Sequence, residues 1–225
     1  MSKHLRLDLE RLDKNLLTIW AMAEDATNKA ILALVSRRPE LAKEVIEGDQ
    51  EIDTKEVELE DDCLKILALH QPVAADLRFI ITALKVNSDL ERMGDLAVNI
   101  AERAIYLSIH EPISVPPDLA RMVDGVRKMV RDSLDALINK DTGLAKRVLS
   151  RDDEIDSMHR GMFDILQDVI CSDCSTTKRA IHLLSVSRNL ERIADLATNI
   201  AEDVIFMVDG ELIRHRYEDL DIQQQ

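Results

Sequence analysis

Carboxylates spaced four residues apart recur along this chain of 225 residues. They stand at Asp49 and Asp53, Glu91 and Asp95, Asp152 and Asp156, and Glu191 and Asp195. Side chains at i and i+4 share one face of an α-helix, where two like charges cost roughly 0.2–0.5 kcal/mol. Such pairs are not chosen for helix stability. A hard cation taking oxygen ligands would remove the repulsion, so the chemistry these residues offer is metal binding.

Two of the pairs lie in a repeated segment. Residues 89–102 read DLERMGDLAVNIAE and residues 189–202 read NLERIADLATNIAE, identical at ten of fourteen positions. Two similar cores would explain the repeated Leu and Ala. The repeat also keeps Glu91, Arg92, Asp95, Asn99 and Glu102 as Glu191, Arg192, Asp195, Asn199 and Glu202. At about 100° per residue, Asp95, Asn99 and Glu102 fall within roughly 80° of Glu91. Leu90, Met93, Leu96, Ala97, Ile100 and Ala104 gather on the opposite side, and the second copy repeats the division. The acidic faces therefore point outward, unlike the inward ligands of a di-metal site in a bundle core.

A second row lies upstream of each copy. DQEID at 49–53 matches DDEID at 152–156. Asp49, Asp53, Glu56 and Glu60 form a stripe beside the apolar seam Val45, Ile52, Leu59 and Ile66. Its counterpart is Asp152, Asp156 and His159, with Phe163 in the fourth place. If the helices bearing the two rows are neighbours, the rows converge over one groove in each half. Glu56, Asn99, Glu102, His159, Asn199 and Glu202 then stand as additional ligands. The first half is the richer in carboxylates and is expected to bind metal more tightly or in greater number.

Against this stands the ordinary reading of an acidic helix face, which is solvation alone. Other residues carry less. Cys171 and Cys174 form a lone C-x-x-C at a helix end, Cys63 sits on an apolar seam, and Trp20 reads as a packing anchor. His70, His110 and His215 lie near helix ends, where capping or solvent contact is the default. No Gly-rich phosphate loop, G-x-S-x-G or paired-His zinc motif occurs, and no nucleophile is assembled with a base. The expectation is a protein that is not an enzyme. No phosphate pocket is expected either, since no glycine cluster opens a helix.

The elements that must hold these rows are long helices. Hydrophobic residues make up 46% of the chain and aromatic ones 3%, with few Gly and Pro, a composition of packed helices rather than sheets. The fold class expected is all-α: two tandem, pseudo-symmetric three-helix bundles. The prolines of HEPISVPPDL divide the chain. Residues 1–110 form the first repeat, 111–118 a Pro-rich linker, 119–208 the second repeat and 209–225 a polar tail. The helices expected run from Leu5 to about Val35, from about Glu40 to Leu69, and from Pro72 to about Ile109. Those of the second half run from Pro117 to about Ile138, from about Leu144 to Ile170, and on to about Val208.

The net charge of −14 repels nucleic acid and anionic lipid and attracts cations or basic protein surfaces. The charged N-terminus is not a secretory signal, and no apolar run approaches the ~20 residues that span a bilayer. Three cysteines fit a reducing compartment, so a cytoplasmic protein is expected, reaching a membrane only through an integral partner.

HQPVAADLRFI at 70–80, NSDLERMGDLAVNIAE at 87–102 and SRNLERIADLATNIAE at 187–202 closely resemble the PhoU family, regulators of bacterial phosphate uptake and phosphate-starvation signalling. The resemblance spans nearly the whole chain. It implies two similar three-helix bundles, frequent homodimers, and E/D-x-x-x-D metal motifs mapping onto the four carboxylate pairs. It implies iron, zinc, manganese or magnesium without selecting among them. The partners it implies are the ATPase of the phosphate ABC transporter and the membrane phosphate sensor histidine kinase, with repression of the starvation response when phosphate is plentiful. The alternative is a carboxylate-rich protein of metal storage or metal-dependent activity. One departure is that the second half carries CSDCSTTKRAI where the first has its Q-P-x-A-x-D-L-R segment.

Overall fold

The structure, a computed structural model, describes residues 3–113 and 116–211. Among them every regular element is helical. The first bundle is α1 (Lys3–Ser36), α2 (Pro39–His70) and α3 (Ala74–Ser108). The second is α4 (Pro117–Asn139), α5 (Thr142–Leu149), α6 (Asp152–Ser172) and α7 (Thr177–Asp209), with a single 3-10 turn at Cys174–Thr176 before α7. Ser114, Val115 and residues 212–225, which include most of the expected tail and His215, lie outside the described residues.

Local chemistry sets the ends. Pro39 and Pro117 open their helices, where a missing N–H costs nothing. Gln71, Lys140 and Gly210 close α2, α4 and α7 in the left-handed conformation, their N–H groups returning to carbonyls of the last turn. α3 starts at Ala74 rather than at Pro72, because Val73 is extended (φ −129°, ψ 159°) and stands outside the helix.

The second half departs from expectation at one place. The helix read from about Leu144 to Ile170 is two helices, broken at Ser150 and Arg151. Asp141 caps α5, its carboxylate accepting from the Leu144 N–H at 2.9 Å. The Arg151 N–H turns back to the Val148 carbonyl (3.1 Å), and its guanidinium pairs with Asp132 of α4. α6 then begins afresh at Asp152, with Asp152, Asp153 and Glu154 in its first turn, where the helix dipole favours acids.

Each bundle closes over its own apolar seams. Leu12, Leu16, Ile19, Trp20 and Ile31 of α1 are buried against Leu59, Ile80, Leu90, Met93 and Ile100, each such side chain stabilising the fold by about 1.5–3 kcal/mol. Cys63 is buried in the same core, and Cys171 and Cys174 are exposed.

The bundles join along α3 and α7, which run antiparallel. Arg78 Nε donates to the Met207 carbonyl at 3.1 Å, Thr82 Oγ1 to the Asp203 carbonyl at 3.3 Å, and Tyr106 stacks on His182 at 3.8 Å between ring centroids. The midpoint of these rungs falls at Arg92 of α3 and Arg192 of α7, inside the repeated segment. The molecule therefore has a pseudo-twofold axis through the two signature motifs. Lys85 Nζ meets the buried Asp203 at 2.9 Å across the same interface.

Candidate metal centres and the groove between them

The wheel assignment holds in the structure. Leu90, Met93, Ala97, Ile100 and Ala104 are fully buried, as are Ile193, Ala197, Ile200 and Val204. Glu91, Asp95, Asn99 and Glu102 lie on the other side of α3, partly or wholly accessible, and Glu191, Asp195, Asn199 and Glu202 do the same on α7. Val45, Ile52, Leu59 and Ile66 are buried, which leaves the α2 stripe at the surface beside α3.

In the second bundle the rows converge. One carboxylate oxygen each from Asp156 on α6 and from Glu191 and Asp195 on α7 lie within 4.8 Å of one another. Asp152 faces the same group, and its Oδ1 is buried without a hydrogen-bond partner. Burial and close like charges raise the proton affinity of Asp152, Glu191 and Asp195. Burial, and then the charges of Asp195, Asp156, Asp153 and Glu191, push the Asp152 carboxyl up to about 6. Burial followed by Glu191 and Asp156 puts Asp195 at about 6 as well, against a small opposing pull from Arg192. Glu191 is raised by burial and by Asp156. A buried, unpartnered oxygen beside three converging oxygens is the donor set of a hard cation, so these residues fit a metal ion.

The first bundle carries a looser version. Asp49 is raised by burial and by Asp53 and Asp95, and Glu91 by burial and by Asp95, Asp53 and Glu56. Acids on α2 and α3 therefore feel each other across the groove, as the sequence rows require. Gly94 lets the helices close: a Cβ there would stand 3.2 Å from Ile52 Cδ1 and 3.3 Å from Asp49 Oδ1. No set of three acids in this bundle comes as close together, among the described residues, as the set in the second. The greater number of carboxylates in the first half thus does not translate into tighter convergence.

Three of the additional ligands read from the sequence, His159, Asn99 and Glu102, have other partners. His159 Nδ1 lies 2.8 Å from Ser187 Oγ, tying α6 to α7, and burial followed by the charge of Arg188 lowers its proton affinity. At the equivalent place in the first bundle, Asn87 Nδ2 donates to the Glu56 carbonyl at 2.8 Å. Glu56 itself is raised by burial and by Glu60 and Asp53. Glu102 pairs with Arg103 at 2.9 Å, and Asn99 Nδ2 donates to the Asp95 carbonyl at 2.9 Å.

One feature escaped the sequence reading. Arg92, Asp95, Leu96 and Asn99 of α3 and their repeats Arg192, Asp195, Leu196 and Asn199 of α7 line a shared groove of about 410 Å³ on the pseudo-twofold axis. The signal was present, since Arg92 and Arg192 are both kept in the repeat. What the sequence lacked was the antiparallel crossing that brings the two copies face to face.

Comparison with known proteins agrees with this architecture. The family model described as "PhoU domain" matches twice, at residues 16–104 and 119–204. The phosphate-specific transport system accessory protein PhoU homolog of Aquifex aeolicus is 41% identical over 210 residues, covering 93% of this chain and 95% of that protein. Its namesake in Caulobacter vibrioides is 37% identical over 222 residues, covering 97% and 95%. Among solved structures, PhoU from Pseudomonas aeruginosa superposes with a TM-score of 0.89 at 35% identity, covering 92% of this chain and 99% of that one.

Proposed function

This chain belongs to the PhoU family, and on that footing we propose that it is a non-catalytic accessory protein of a phosphate-specific transport system. In this reading it restrains phosphate uptake and the starvation response while phosphate is plentiful. It does so by contact with the ATPase of the phosphate ABC transporter and with the membrane sensor histidine kinase, as a cytoplasmic homodimer. No helix among the described residues is long and apolar enough to cross a membrane, which is compatible with reaching it through these partners.

The observation that carries the reading is the full-length match to the curated accessory proteins, both repeats included. The net charge of −14 supports association with basic partner surfaces that is fast and weakened by salt.

Metal binding belongs to the same proposal. Asp152, Asp156, Glu191 and Asp195 would hold a cation in the second bundle, and Asp49, Asp53, Glu91 and Asp95 in the first. Oxygen donors without Cys or paired His suit Mg, Mn or Fe better than Zn. A bound cation would supply positive charge to an otherwise self-repelling acidic face. The chain's own residues place the acids on rigid helices, so that face is preorganised for cation or partner.

A phosphate-starvation reporter in cells lacking this gene, grown with abundant phosphate, tests the regulatory role. The expected signal is high and returns to low when the gene is restored. A reporter that stays low without the gene would contradict the proposal, and metal storage would then be the better reading of the acidic groups.

A further inference from the structure

Arg92 and Arg192 meet at the pseudo-twofold axis, where they line the groove of about 410 Å³ with Asp95, Asn99, Asp195 and Asn199. Neither guanidinium is strongly engaged. The carboxylate paired with Arg92 is that of Asp89, 3.9 Å away on its own helix, and the Arg92 side chain is 63% exposed. Arg192 makes no ion pair within 4.0 Å among the described residues, acting on Glu191 and Asp195 only through space. Asn99 gives one amide hydrogen to the Asp95 carbonyl and keeps the other. The groove thus holds two planar five-donor cations and two amides, arranged about an axis that relates one set to the other.

The charges in this groove are finely set. Two arginines face two aspartates, so as it stands the lining has no net attraction for an anion. Asp195 belongs both to the convergent acid group and to the groove wall. A cation held by that group offsets the charge of Asp195, which opposes the arginines, and tips the groove lining toward positive. We propose that the groove is a cation-dependent site for a small, multiply charged oxyanion, held between Arg92 and Arg192 with Asn99 and Asn199 as further donors. The inference rests on the metal reading given above. It revises the expectation from the sequence that no anion pocket exists. That expectation looked for glycine-rich helix starts, whereas this site is built from guanidinium forks on two helix flanks, which bind tetrahedral oxyanions bidentately. Such a site answers to metal and anion together, and neither ligand alone completes it.

The test is equilibrium dialysis of the full chain against radiolabelled inorganic phosphate, with and without Mn²⁺, with protein-bound manganese measured in the same chambers. The wild type should retain phosphate only when manganese is bound. Arg92→Gln/Arg192→Gln should keep its manganese, which reports an intact fold, and lose phosphate affinity at least about tenfold, the loss of one or more charge-assisted contacts. A wild type that binds manganese and still retains no phosphate offered with it would overturn this inference and leave the metal reading standing. Phosphate retained undiminished by the double variant, or bound equally without manganese, would overturn it as well. Failure of the wild type to bind manganese would remove the metal reading and this inference with it.

Discussion

At the scale of single residues, the second bundle's acids are held against their own charge. Asp152 and Asp195 titrate near 6, well above the ordinary value of 3.8, because burial and neighbouring carboxylates penalise the ionised form. Raised affinity for a proton in the folded state means stability that is complete below the unfolded value and lost as pH rises through the folded one. The metal-free protein should therefore lose stability between about pH 4 and pH 6 on account of this group. Thermal melting of Asp152→Asn/Asp195→Asn beside the wild type isolates the effect. The variant's advantage should grow from about pH 4.5 to pH 7 and then level off, and an advantage constant across that range would show that folding does not raise these carboxyls. Protons and cations compete for the same oxygens, so metal affinity should fall as pH drops through the same window.

Among the elements, the helices of the first bundle were largely legible because their boundaries are local. Pro39 marks the start of α2 by covalent geometry, as Pro117 does for α4 of the second bundle, and Leu90, Met93, Ala97 and Ile100 mark a buried face by their 3.6-residue spacing. The break between α5 and α6 was not legible. Ser150 and Arg151 carry no helix-breaking geometry, and the corner is held by the contact of Arg151 with Asp132, a residue on another helix. At the opposite end of α5 stands the cap at Asp141, whose loss to alanine should cost about 0.5–2 kcal/mol. Chemical denaturation of Asp141→Ala measures that cost; an unchanged midpoint would mean that packing of Ala145, Val148 and Leu149 holds α5 without its cap. The same tertiary origin is why the sequence gives the convergence of Asp156 with Glu191 and Asp195 only on the condition that α6 and α7 are neighbours. Sequence periodicity places each row on a face, whereas the approach of α6 to α7 decides which oxygens meet.

Over the whole molecule, duplication and antiparallel docking act together. Two copies of one bundle meet through α3 and α7, and that meeting sets the repeated Arg92 and Arg192 on a common axis while the paired acids flank it. The outward acidic faces follow from the sequence; the groove between the copies exists only in the assembled pair of bundles. Whether the acidic faces are cation sites or solvated surface is decided by the melting temperature with and without Mn²⁺. A ligand bound only by the native state raises stability, by about 2.7 kcal/mol at a hundredfold excess over Kd. Wild type should melt higher with manganese, while Glu191→Gln/Asp195→Asn should melt higher than wild type without metal and gain less from its addition, its first-bundle acids being intact. A wild type whose melting temperature ignores manganese, iron and magnesium alike would contradict cation binding and leave the acids as a solvated face.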